Sequence, residues 1–356
     1  MSKERDIKLD LIRSLAIIFV ISVHSLGNSG FYNQPINGVS MFLSEVLRCL
    51  FITCVPLFLL LTGYLNNNSQ PSKGYYFKLL NVVIVYIICG MVCQLALVAI
   101  DHISIKQVII SFFDFSACPY AWYIEMYIGL YLLIPFLNIL WSHCSNKEKK
   151  SLLICLLIIV TMPSLVSNYN FDNFKFWQSY LDKYTKLAPE FFINLYPFLY
   201  FFLGKFIREK KAILVSKIKR IYLVVTIFVG GINFLKNHGA TFPWNHDTCY
   251  YSYQAIVVSI IVFVLCLNSN LNKRVMKGTI PIIAKYSLGI YLLSYLIDRI
   301  WYYHILEKFT NSYSNKFLFL PISIIFVTVC SLIISIPITK ISNIVFKKVY
   351  GLIVRK

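Results

Sequence analysis

Ten largely apolar stretches, each 16 to 25 residues long, recur along the chain with short polar segments between them: about 11–30, 42–65, 76–100, 120–141, 151–166, 190–207, 219–236, 250–267, 281–303 and 318–340. Runs of this length match the hydrocarbon core of a bilayer, which takes about 20 residues of α-helix to cross. The runs are continuous and do not alternate with period two, which argues against a β-barrel. The pattern predicts an all-α, polytopic integral membrane protein with about ten transmembrane helices. It also predicts one membrane domain over residues 1–356, with no separate soluble domain.

Composition agrees. The chain is 58% hydrophobic and 14% charged, whereas an average soluble domain has nearer a quarter charged residues. Met1 to Lys8 and the first run together imitate a secretory leader, but no small-residue cleavage site follows. The first run therefore reads as a retained span.

The net charge of +19 invites a nucleic-acid reading, which the placement of the charges rejects. Segments on the N-terminal side of the expected membrane carry 24 Lys and Arg, those on the other side carry seven, and Arg13, Arg48 and Arg299 lie within spans. That bias puts both termini in the cytoplasm, as for a multi-pass protein of a cell's inner membrane. Membrane lipids are then partners and nucleic acid is not.

Of the ten cysteines, several lie within apolar runs and none follows a zinc-ligand spacing, so no metal is expected. Cys118 and Cys249 fall in outward loops, where an oxidising side leaves a disulfide open to them. Residues 238–253 place Trp244 and three tyrosines among polar groups. They form either a platform for a sugar or an interfacial aromatic belt.

The first span carries the strongest chemical signal. Arg13 and His24 are eleven positions apart, about three turns plus 20°, so they share one stripe of the helix. Asp10 falls within about 40° of that stripe. Ionisable groups inside a membrane helix usually face a protein interior or a wet cavity. A guanidinium suits a phosphate clamp and an imidazole suits proton transfer. The alternatives are snorkelling for Arg13 and hydrogen-bonded packing for His24. Glu125 is open to orienting His24, to acceptor binding or to a structural ion pair. Glu45 and Arg48, three positions apart, read as a mutually neutralising pair. Asp298 lies near the outer end of its span, where it can bind a substrate or sit at the interface.

The segment LDLIRSLAIIFVISVH resembles the opening of the membrane acyltransferase-3 family, whose signature is an arginine, ten residues and a histidine, here Arg13 and His24. VPLFLLLTGYL (55–65), AWYIEMYIGLYLLIPFL (121–137) and SLGIYLLSYLI (287–297) are similar to later motifs of that family, in order. Two departures stand out. Ser294 occupies a position that often carries histidine, and the family's paired-arginine motif is reduced to Lys78 and Asn81.

The resemblance implies transfer of an acyl group, usually acetyl from acetyl-CoA, to a hydroxyl of a carbohydrate on the outer side. Arg13, with Asp10, would hold the donor's phosphates, helped by Lys73, Lys78 or a basic residue of 205–220. His24 would act as base or carry the acyl group transiently, with Glu125 beside it. Trp244, Asp298 and Trp122 would contact the acceptor. The competing reading is a transporter or flippase for a lipid-linked sugar or small solute, which internal repeats would favour and which none here supports. The sequence leaves the acceptor, the acyl group and the oligomeric state open.

Overall fold

A computed structural model describes residues 6–167, 186–210, 222–242, 246–269 and 274–354. Helix α1 (Ile7–Asn28) starts where the Asp6 side chain accepts the Lys8 amide at 3.0 Å, and it ends before Gly30, whose φ of 94° reverses the chain. Helices α2 (Gly38–Phe51) and α3 (Cys54–Leu65) form one apolar unit broken near Ile52. Pro56 is the cause, because it has no N–H to donate to the Ile52 carbonyl. Thr53 bridges the break by donating its hydroxyl to the Leu50 carbonyl at 2.7 Å, and Leu57 N resumes the ladder at the Thr53 carbonyl.

The remainder is α4 (Lys73–Asp101), α5 (Ile105–Phe113), α6 (Trp122–His143), α7 (Asn146–Val166), α8 (Tyr196–Glu209), α9 (Tyr222–Lys236), α10 (Tyr253–Leu267), α11 (Arg274–Arg299), α12 (Tyr313–Leu318) and α13 (Leu320–Val354). A π-helical turn, Ile300–Ile305, extends α11. Among the described residues there is no strand, only an isolated bridge between Pro35 and Thr241.

The chain is therefore an all-α polytopic membrane protein. Among the described residues, eight helices are long and apolar enough to cross a bilayer, counting α2 and α3 as one. The other two expected spans appear as α8 and α9, of 14 and 15 residues. At 1.5 Å per residue α8 reaches only about 20 Å, short of the roughly 30 Å hydrocarbon layer, while α9 borders residues outside the described ones.

Helix α1 is the hub, packed against α2, α3, α10, α11 and α13. Small residues let the surrounding helices close in, as lipid supplies no hydrophobic drive between them. A Cβ added at Gly63 would lie 1.9 Å from the Phe201 carbonyl oxygen, and one added at Gly204 would lie 2.1 Å from that of Leu60. The backbones of α3 and α8 thus touch at two reciprocal points. Gly63→Ala is expected to cost about 2 kcal/mol by forcing these helices apart, which thermal unfolding in detergent measures; an unchanged midpoint would contradict the contact.

Lys205 lies on the same helix and is buried, donating to Asn138 Oδ1 at 2.5 Å and to the Asn67 carbonyl at 3.3 Å. Arg208 donates to the Tyr64 carbonyl at 2.6 Å. Both fasten α8 to the end of α3 and the loop beyond it, so neither supplies the extra donor-phosphate contact expected of the 205–220 segment. Residues 211–220 lie outside the described residues.

All ten cysteines are free thiols. The disulfide left open to Cys118 and Cys249 is not formed: Cys118 is buried, with its Sγ 3.9 Å from that of Cys93 on α4.

Candidate active site

Two cavities meet at His24. The first, of about 240 Å³, is lined by Arg13 and His24 together with Phe58, Thr62, Tyr123 and Tyr291, among others. The shared stripe on α1 is thus realised as one wall of one cavity. The other walls come from the three later motifs: 55–65 contributes α3, 121–137 contributes the start of α6, and 287–297 contributes the middle of α11. Segments more than 200 residues apart converge here: α3 and α11 pack directly against α1, and α6 closes the cavity from farther off.

The second cavity, of about 400 Å³, is lined by Asn28, Tyr32, Arg48, Tyr120 and Asn194 among others. Val23, His24 and Tyr250 line both. These three side chains form the divide between them.

His24 stacks face to face on Tyr120, with ring centroids 3.5 Å apart and planes 8° from parallel. No hydrogen bond joins either imidazole nitrogen to another described residue, which leaves both for a substrate. Tyr120 sits in the turn before α6 and is held from three sides. Asn28 donates to its hydroxyl at 3.2 Å, that hydroxyl donates to Asp298 Oδ2 at 3.3 Å, and Tyr291 donates its own hydroxyl to the Tyr120 carbonyl. Three bonds to one residue fix the plane on which the imidazole rests. Burial raises the Tyr120 phenol well above its ordinary pKa, so it stays protonated.

The other expected site residues are placed as follows. Trp122 lines the first cavity, its ring centroid 5.4 Å from that of Tyr250, and so stands on the Arg13 side. Asp298 is buried and lines neither cavity; it reaches the site through Tyr120.

Glu125 is exposed and lines neither cavity. It lies about 160–200° around α6 from the lining residues Tyr123 and Tyr127 and makes no hydrogen bond with His24. Asp10 is buried one turn before Arg13, outside the lining. Lys73 and Lys78 are exposed and line neither cavity, although Lys78 is one turn below Val82, which does line the first. Trp244 lies outside the described residues. Ser294 is buried and donates to the Tyr291 carbonyl at 2.8 Å, so its hydroxyl is spent within its own helix.

Sequence reasoning missed Tyr120 and assigned Arg48 to Glu45. No ion pair within 4.0 Å joins them. The guanidinium turns instead to Tyr32 and the Thr248 carbonyl, at 3.0 and 3.1 Å. No group of three or more His, Cys, Asp or Glu among the described residues is arranged to hold a metal ion.

Chemically, the arrangement offers one proton-accepting imidazole between two rooms, with a cation in each. A family model described as an acyltransferase domain, that of acyltransferase family 3, matches residues 6–339. No curated protein and no solved structure matches the chain.

Proposed function

The chain belongs to acyltransferase family 3, and from that premise we propose that it moves an acetyl group from cytoplasmic acetyl-CoA to a hydroxyl of a surface polysaccharide or its lipid-linked precursor. The observation that carries this reading is that His24 lines two cavities at once, one of which holds Arg13. A donor and an acceptor entering from opposite sides would meet at the imidazole. The excess of Lys and Arg on the N-terminal side supports cytoplasmic termini in an inner membrane, and so a cytoplasmic approach to the Arg13 cavity.

In this mechanism Arg13 grips a phosphate of coenzyme A. The apolar walls, Val20, Val23, Phe58 and Leu61 among them, take the pantetheine arm. The acceptor hydroxyl comes through the second cavity. His24 removes its proton as the oxygen attacks the thioester carbon. The new C–O bond forms, the C–S bond breaks, and the imidazolium returns the proton to the departing thiolate. Because both cavities reach His24, both substrates can be present together, which favours direct attack over an acyl-histidine.

Tyr250 lines both cavities, and its hydroxyl makes no hydrogen bond with another described residue. It is placed to donate to the developing oxyanion. Tyr250→Phe is expected to lower kcat about tenfold, the worth of one neutral hydrogen bond, with little change in either KM. A KM effect with kcat intact would assign Tyr250 to binding alone.

The whole reading is tested with the full-length protein in lipid nanodiscs, radiolabelled acetyl-CoA and lipid-linked envelope glycans. Label should enter the glycan as an ester released by mild base. No base-labile label in any glycan fraction would sink the proposal. Initial-rate lines should intersect when both substrates are varied, whereas parallel lines would indicate an acyl-enzyme.

A further inference from the structure

We infer that the second cavity is built for an acceptor carrying an anionic group next to the reacting sugar, a carboxylate on the sugar or a phosphate on its carrier, and that Arg48 is the residue that reads it. This rests on the acyl-transfer reading for the word acceptor, but the charge argument stands on the cavity itself. Among its described lining residues there is no Asp or Glu, and Arg48 carries the only fixed charge.

The guanidinium is held as a receptor. It lies beside two adjoining aromatic rings, 5.9 Å from the Tyr32 centroid and 5.3 Å from that of Phe242. Its Nε–H donates to the Tyr32 hydroxyl and one Nη2–H to the Thr248 carbonyl. A guanidinium has five N–H groups. The rest, including both on Nη1, find no acceptor among the described residues.

The nearby carboxylates Glu45 and Asp247 share a small pocket with Arg48 away from this cavity, but neither forms an ion pair or hydrogen bond with it. Asp247 is paired with Lys236 at 2.6 Å. Glu45, buried one turn away on α2, makes no ion pair within 4.0 Å, and its Oε1 has no hydrogen-bond partner. A buried guanidinium with donors to spare and no paired carboxylate is an unsatisfied charge unless a ligand completes it. Its planar fork matches a carboxylate or a phosphate with two parallel hydrogen bonds. A neutral sugar offers only single, weaker acceptors.

Arg48 and His24 line the same cavity. An anion held at Arg48 would therefore place a neighbouring hydroxyl towards the imidazole and set which hydroxyl reacts.

The test uses the full-length protein in nanodiscs without acyl donor. Saturation-transfer NMR measures binding of glucose, glucuronate and glucose 1-phosphate to wild type, Arg48→Gln and Arg48→Lys. Wild type should bind at least one anionic probe about tenfold or more tightly than glucose. Arg48→Gln should abolish that preference, and Arg48→Lys should keep part of it. Preference for glucuronate alone identifies an acidic sugar, and preference for glucose 1-phosphate alone identifies a carrier phosphate.

Equal binding of all three by wild type, or a preference that survives in Arg48→Gln, would overturn the inference. Should Arg48→Gln fail to elute as a monodisperse species, the wild-type preference and its reduction in Arg48→Lys decide. Because this binding test needs no donor, a clear preference here together with no acetyl transfer in the radiolabel assay would refute the proposed function and leave this inference standing. Transfer without a preference would do the reverse.

Discussion

Replacing His24 by phenylalanine is expected to lower kcat for acetyl transfer about 10³-fold while the protein folds and binds coenzyme A as before. Phenylalanine is the informative substitution because it preserves the ring that stacks on Tyr120 at 3.5 Å. It removes the two nitrogens and enlarges the ring by one atom. General-base catalysis by a positioned side chain contributes typically 10²- to 10⁴-fold, so the loss belongs in that range if proton removal is the role. A purely structural histidine would tolerate phenylalanine and fail with alanine. Acetyl transfer by His24→Phe within a few-fold of wild type would therefore end the catalytic assignment. His24→Gln, which can hydrogen-bond but cannot accept a proton at neutral pH, should resemble His24→Phe.

The second large effect falls on the donor. Arg13→Gln should raise KM for acetyl-CoA about 10²-fold, the worth of a charge-assisted bidentate contact, and leave KM for the acceptor near its wild-type value. The two substrates separate because Arg13 lines the first cavity and not the second. Acetyl-pantetheine, which has the thioester and no phosphate, provides the control. Wild type should use it as poorly as Arg13→Gln does, since neither pair can form the contact. A variant equally impaired with acetyl-CoA and acetyl-pantetheine would show that Arg13 holds the helix and not the phosphate.

Much of the architecture was legible because a bilayer imposes a length. Each expected span has its helix, and the stripe of Arg13 and His24 became a cavity wall because helical periodicity carries over directly into facing. What could not be read was contact between distant segments. Glu125 drew attention as a carboxylate in an apolar run, yet its angle around α6 turns it away from the tyrosines that line the cavity.

Tyr120 lies in a turn, where no periodicity announces a role, and it meets His24 only because Asn28, Asp298 and Tyr291 converge on it. Arg48 is the same lesson in reverse. Its neighbour on the helix, Glu45, was the obvious partner by spacing, but Tyr32, Phe242 and Thr248 arrive from elsewhere in the chain. Lys205 counted as one more basic residue near the cytoplasm and is instead buried against Asn138. Charge pattern reports the side of the membrane; it does not report which charges the interior has already used.

The divide at His24 also has an electrical meaning. If the two cavities open on opposite sides of the membrane, as the proposed mechanism requires, the layer left between them is Val23, His24 and Tyr250. A transmembrane voltage drops mainly across whatever dry layer remains, at about 2.3 kcal/mol per elementary charge per 100 mV. In the proposed mechanism the imidazole that exchanges protons with the substrates would also belong to the layer that must keep protons from crossing. Stacking on Tyr120 would therefore do more than aim a base: it would hold closed the layer past which an acyl group is handed to the acceptor, so that ions do not follow.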